Sequence, residues 1–128
     1  MPEAELEVVR RIYAGFRERR LPEEELAPEF EWTSHPELPD AATHRGIREV
    51  RRFFADWVAG WAEVRSDVDE LIEGEGCVVA LIHGSFRLSE GSTPLERDYA
   101  HVWTVRDGKA RSVRSVDREE ALRLVAPR

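Results

Sequence analysis

The sequence predicts an α+β fold in which a strongly bent, mainly antiparallel sheet wraps around a long helix, and three observations predict it. Apolar residues recur at spacings of three and four in two long segments of the first half. They alternate at period two in four segments of the second half. No strand-helix-strand alternation calls for a parallel sheet, so runs of helix followed by runs of strand imply antiparallel pairing with helices gathered on one face.

Leu6, Val9, Ile12, Tyr13 and Phe16 share one stripe of a helix from about Glu3 to Arg20, with charge on its other side. Leu21-Pro22 breaks that pattern. Pro22 followed by Glu23, Glu24 and Glu25 starts a second, short helix whose carboxylates lie near the positive end of its dipole, and Pro28 closes the turn. Phe30-Glu31-Trp32 alternates as a short strand with both aromatic rings on one face. Ser34 to Thr43, with Pro36 and Pro39, is loop. From Gly46 the helical period returns: Ile47, Val50, Phe54, Trp57, Val58 and Trp61 fall on one side, with Arg48, Arg51 and Arg52 mostly opposite. Strands are then predicted at about Glu63–Ile72, Cys77–Leu88, Leu95–Arg106 and Ala110–Asp117. Ser89 to Ser92 forms a long hairpin tip, and Asp107-Gly108 suits a tight type I′ turn, whose central residues need positive φ. Arg118–Val125 adds a helical turn or two. A bent sheet around a long helix leaves a hollow between them.

The 128 residues suffice for one domain, 1–128, and no repeat, linker or low-complexity tract divides them. With 41% hydrophobic residues, four Trp, five Phe and two Tyr, the chain can bury a core that offsets its ordering entropy. Its net charge of −7 repels phosphate backbones, so nucleic acid is a poor partner. The single cysteine, Cys77, sits in an apolar run as core filler and can neither bridge to a second thiol nor build a thiolate site. Four histidines without His-x-His or His-x₃-His spacing give no metal signature, and neither metal nor cofactor is expected. The start, Met1-Pro2-Glu3-Ala4-Glu5, is acidic where a secretory signal is basic, and no apolar run reaches the ~20 residues that span a bilayer. A protein of the cytoplasm, away from membranes, is the expectation. Eighteen of 19 basic residues are Arg, which by itself points to no function.

Tyr99, His101, Trp103 and Val105 lie on one face of their strand and have the composition of a small-molecule site: aromatic area for an apolar ligand, and a phenol and an imidazole for directional contacts. His101 titrates near neutral pH, although a core histidine bonded to a carbonyl is the other reading. Across the Asp107-Gly108 turn, pairing brings Asp117 and Ser115 toward His101, where a carboxylate would orient the ring and raise its pKa; Asp117 also reads as an ordinary helix N-cap. His35, in Trp32-Thr33-Ser34-His35-Pro36, is either a second titratable group or an exposed loop histidine. Tyr13, Trp32, Trp57, Trp61, Phe86 and Trp103 are core residues first and pocket lining second. His83 alternates away from the apolar face of its strand, and His44 reads as a surface or capping residue.

The order of elements, Arg45-Gly46-Ile47 opening the third helix, and the run Tyr99-Ala100-His101-Val102-Trp103-Thr104-Val105-Arg106-Asp107-Gly108-Lys109 leading into Ser115-Val116-Asp117 resemble the NTF2-like superfamily, and within it the SnoaL-like branch. The resemblance covers nearly the whole chain through loose patterns. It implies a cone-shaped α+β protein with a pocket at the wide end, often a homodimer through the outer sheet face, in a group that includes isomerases, cyclases, dehydratases and proteins without catalysis. By resemblance to ketosteroid isomerases, His101 stands about where an acidic hydrogen-bond donor stands. His35 stands where the carboxylate base does, also followed by Pro, and this departure removes the isomerase's own mechanism. SnoaL-like cyclases imply an Asp helped by a nearby His, hence the pair Asp117 and His101. Two histidines, a tyrosine and an aspartate are similar to the metal-free scytalone dehydratase set. The Asp–Arg–Asp set of limonene epoxide hydrolases is disfavoured, since Arg97 and Asp98 are adjacent and face opposite ways. The reading is therefore a cofactor-free isomerase or cyclase acting by proton transfer on a small apolar carbonyl or polyketide-like compound, with His35 or His101 as base, Asp117 orienting and Tyr99 donating to an oxyanion. A non-catalytic ligand-binding or dimerisation module and a dehydratase are the alternatives.

Overall fold

A computed structural model describes residues 2–38 and 41–125, with the side chains of Pro2 and Glu3 outside the description. Met1 and Pro39, on which two sequence readings drew, lie outside the described residues. The elements in order are helix α1 (Pro2–Arg17), a 3₁₀ turn (Glu23–Glu25), strands β1 (Leu26–Thr33) and β2 (Thr43–Arg45), helix α2 (Ile47–Ala59), strands β3 (Glu63–Gly74), β4 (Cys77–Arg87), β5 (Leu95–Arg106) and β6 (Lys109–Val116), and helix α3 (Arg118–Val125). The sheet runs β2-β1-β6-β5-β4-β3 and stays open at both edges.

The four-strand meander pairs antiparallel throughout, and Asp107 and Gly108 turn its last hairpin at φ 55° and 76°. Two features go beyond the sequence reading. The strand around Phe30 is longer than expected and carries Pro28 within it, at the irregularity between the Leu26–Ala110 and Glu31–Ser112 pairings, where no ladder N–H is demanded of a proline. This strand also pairs parallel to β6, and the short β2, read as loop and helix approach, pairs antiparallel to its other side. Further register shifts fall between Val68 and Glu70 on β3 and at Thr104–Val105 on β5. An extra residue on one strand of a pair bends it and increases its twist, which is how a sheet of this size curves enough to enclose a hollow.

Val8, Val9, Ile12 and Tyr13 of α1 and Val50 of α2 pack on the concave face with Phe30, Val78, Ala80, Ile82, Trp103, Val105 and Val113. The opposite face is apolar too. Val79, Leu81, Ala100, Val102 and Val116 cluster there with Ala121, so α3 crosses to the convex side and the helices are not all on one face as expected. His83 stands on that convex side, its Nδ1 2.6 Å from Asp98 Oδ1 and its Nε2 3.0 Å from Glu96 Oε1; those carboxylates, Asp98 first, raise its pKa. Cys77 is a free, half-buried thiol whose pKa burial pushes up. Among the described residues no helix is long and apolar enough to cross a membrane.

α1 ends in a Schellman motif: Arg20 N–H bonds Gly15 O at 3.0 Å and Arg19 N–H bonds Phe16 O at 2.9 Å. Arg19 therefore occupies the left-handed position, at φ 59°, that usually falls to glycine. On β4, Gly84 leaves room for two rings of the concave face. A Cβ there would stand 2.6 Å from Phe86 Cζ and 2.9 Å from Tyr99 Cε1. Replacement Gly84→Ala is expected to cost about 1–3 kcal/mol, the usual penalty for overpacking against rings that cannot yield; urea unfolding of the variant measures it.

Candidate functional site

The concave face and the two long helices enclose a cavity of about 360 Å³ lined by Phe16, Trp32, Phe53, Phe54, Trp57, Phe86, Tyr99 and His101, with His35, Ser34 and Ser115 on one side and Ser66 on another. Strand periodicity explains much of this. Arg97, Tyr99 and His101 project inward from one face of β5, Ser115 stands directly opposite His101, and Ser66, Gly84 and Arg97 face one another across three strands.

His101 is 7% exposed, and its ring is held by a buried relay. Trp103 Nε1–H donates to Tyr13 Oη at 2.8 Å, and Tyr13 Oη lies 2.7 Å from His101 Nδ1. Indole can only donate, so the phenol accepts from Trp103; its own proton has no other acceptor among the described residues and goes to His101. That assigns the proton of a neutral His101 to Nε2, which meets no partner among the described residues while the ring lines the cavity. Burial lowers the pKa of His101 from 6.5 to about 3, because no carboxylate compensates for lost solvation. At neutral pH His101 is thus a fixed neutral donor with its one lone pair already occupied. It suits an oxyanion and not the base role that the sequence left open. Burial likewise pushes up the phenols of Tyr13 and Tyr99, keeping both as O–H donors.

Asp117 pairs with the other histidine. Its Oδ1 lies 2.8 Å from His35 Nε2, so the expected His101–Asp117 pair is replaced by His35–Asp117, while Nδ1 of His101 is taken by Tyr13 and its Nε2 meets no carboxylate among the described residues. His35 is buried at 6% exposure, which removes the exposed-loop reading. The segment after β1 folds back through Ser34 N–H to Ala42 O and Leu38 N–H to His35 O. Glu37 N–H donates to His35 Nδ1 at 3.1 Å, so Nε2 carries the proton and gives it to the carboxylate. Asp117 also serves the helix, its carbonyl accepting from Ala121 N–H, while its side chain is turned to His35 and is largely exposed.

Tyr13, Trp32, Trp57, Phe86, Tyr99, His35 and His101 all border the cavity. Asp117 stands behind His35. Trp103 lies beneath the wall, fully buried against Phe30, Tyr13 and Trp32, and Trp61 packs beside it on Trp57 and Phe86. Sequence reasoning missed Arg97, although extending the period-two face of Tyr99 and His101 by one step reaches it; its guanidinium pairs with Glu37. It also missed Phe53, on which His44 stacks at 4.2 Å. His35, Glu37 and Asp117 are the one group of potential metal ligands among the described residues, their ligand atoms within 4.8 Å of one another. Two features weigh against a cation there: Arg97 holds Glu37, and both ring nitrogens of His35 already have partners, Glu37 N–H and Asp117.

Tyr13→Phe removes the donor to His101 and leaves Trp103 Nε1–H buried without an acceptor, an expected loss of about 1–3 kcal/mol by chemical denaturation. For His101 the sign follows from its lowered pKa. Below pH 6.5 the unfolded ring binds a proton that the native ring refuses down to about pH 3, so this contribution is complete above pH 6.5 and is lost as pH falls across that window. The limiting slope is about 1.4 kcal/mol per pH unit. Unfolding free energies of His101→Gln measured between pH 4 and 7 should fall less steeply with acid than those of the parent protein.

Several solved structures are similar to this one over nearly their full length. An NTF2-like protein of unknown function from Burkholderia pseudomallei is 28% identical, with a TM-score of 0.77 over 97% of this chain and 98% of that one. TerC, crystallised with polyporic acid, is 27% identical, with a TM-score of 0.77 over 97% and 99%. A protein from Jannaschia sp., provisionally named a SnoaL-like polyketide cyclase, shares the fold at 18% identity and a TM-score of 0.70 over 99% and 95%. Among curated proteins no sequence matches. The family model described as SnoaL-like domain matches residues 9–113, which takes in the second half of α1, all of α2, most of the cavity wall and strand β5, and the chain belongs to that family within the NTF2-like fold.

Proposed function

We propose that the protein binds a small, mainly apolar carbonyl compound and moves a proton on it without a cofactor, as an isomerase or polyketide-type cyclase does. The observation that carries this reading is the division of labour among the polar groups of one cavity: His101 is a neutral donor with Nε2–H free, and His35 is a separate imidazole backed by a carboxylate. TerC, at 27% identity, was crystallised with polyporic acid, which supports an aromatic or polyketide-like ligand here.

The substrate oxygen would lie against His101 Nε2–H, its ring held by Tyr13, and Tyr99 O–H, in a largely apolar hollow where charge on that oxygen is stabilised more than in water. A proton on the adjacent carbon would pass to Nδ1 of His35, the nitrogen that holds a lone pair. The substrate must displace the Glu37 amide to reach it. The imidazolium so formed keeps its Nε2–H on Asp117, whose charge balances it. Return of the proton to another carbon completes an isomerisation; attack by the enolate carbon on a second carbonyl, whose oxygen then takes the proton back from His35, completes a cyclisation. The occupied Nδ1 also favours a second reading, a binding module without turnover.

Exchange of the acidic protons of aryl 1,3-diketones for deuterium, followed by NMR in D₂O, separates the two. The enzyme should accelerate exchange, His35→Gln should lose about a hundredfold or more of that acceleration, and Asp117→Asn should lose less. Tight binding of the diketones with no acceleration over buffer establishes the binding module instead.

A further inference from the structure

The chain carries a net charge of −7, yet the residues that border the cavity reverse this sign, with Arg17, Arg19, Arg65 and Arg97 against Asp67 alone. Two of these arginines are neutralised locally, since Arg65 bonds Asp67 and Arg97 pairs with Glu37. Arg17 and Arg19 have no carboxylate partner among the described residues, where most arginines of this acidic chain have one. Arg17 is the last residue of α1, one turn after Tyr13, and Arg19 follows it just past the helix end; both border the cavity. Arg17 complements the negative end of the helix dipole, a sufficient structural reason for its charge. The same field reaches Arg19, just past the last turn, but does not explain why a residue other than glycine stands there. Arg19 holds the left-handed position of the Schellman motif at φ 59°, where glycine would relieve strain of the order of 1 kcal/mol.

We propose that the cavity selects an anion: an apolar, aromatic body lying against Phe54, Trp32 and Tyr99, with a carboxylate or comparable oxyanion at the mouth held by Arg17 and Arg19. This rests on the small-molecule reading above and narrows its substrate class. Guanidinium is the cation whose planar fork matches a carboxylate, and two of them at the rim of a low-dielectric hollow attract an anion over roughly the ~8 Å Debye length at physiological salt. The remaining surface, being acidic, repels the same molecule, so the mouth is the one place among the described residues bordering the cavity where it is drawn in.

Two fluorescent probes with the same aromatic skeleton test the charge by itself: 8-anilino-1-naphthalenesulfonate, an anion, and N-phenyl-1-naphthylamine, which is neutral. The double variant Arg17→Gln/Arg19→Gly is expected to bind the anionic probe at least about fivefold more weakly, two exposed charge pairs being lost, and the neutral probe within twofold of the parent. Its Tm should hold or rise, since glycine suits the left-handed position. Arg17→Lys/Arg19→Lys, which keeps the charge, should retain most of the anion affinity, and salt should weaken the anionic probe in the parent and in this lysine variant but much less in the Gln/Gly variant. Unchanged binding of the anionic probe by the folded double variant, or equal losses for both probes, overturns the proposal. If neither probe binds the parent protein, the small-molecule cavity itself is refuted, and the anion proposal falls with it.

Discussion

Everything in the cavity depends on the buried relay from Trp103 through Tyr13 to His101. Three polar groups from α1 and β5 are removed from water together, and each would carry a desolvation penalty of about 1–3 kcal/mol if left alone. Because indole has a donor and no acceptor, and the phenol proton has no acceptor other than His101 among the described residues, the chain of bonds has one direction, and it ends by fixing which nitrogen of His101 bears a proton. A rotation of Tyr13 or a slip of β5 by one residue would orphan all three groups. The relay therefore locks helix to sheet and sets the chemistry of the wall in the same contact.

The cavity has its own physical causes. Register shifts on three strand pairs bend the sheet, and Gly84 supplies a side-chain-free point where the rings of Phe86 and Tyr99 approach the backbone. α1 and α2 cover the concave side, while α3 covers the apolar patch that the same alternation produces on the convex side. The two histidines of the site consequently sit in different electrostatic settings. One is desolvated with neutral partners and held neutral, and the other has an aspartate at 2.8 Å that can balance a positive charge. Groups of one chemical type divided between donor and proton acceptor in this way give a single cavity the means for acid and base work.

Charge adds a second level of organisation. The acidic surface and the arginine-bordered opening are opposed in sign, so long-range repulsion from most of the molecule and attraction at the mouth act on the same anion. Arg19, at the turn that ends α1, keeps its guanidinium there despite a backbone conformation suited to glycine.

The order of elements apart from the short β2, the inward face of β5, the Asp107-Gly108 turn and the bounds of β5 and α3 were legible in the sequence because each rests on short-range periodicity or turn chemistry. The family resemblance, and with it the fold, followed from that order. Which histidine Asp117 would meet was not legible, since His35 and Asp117 are 82 residues apart and their contact depends on how the segment after β1 folds back over the end of β6. The parallel pairing of β1 with β6, the crossing of α3 to the convex face and the burial of His35 belong to the same class. A sequence determines which faces are apolar and which residues share them. Only the tertiary structure decides which polar groups are left facing one another once those faces are buried, because that choice is made by competition among all the donors and acceptors brought into reach.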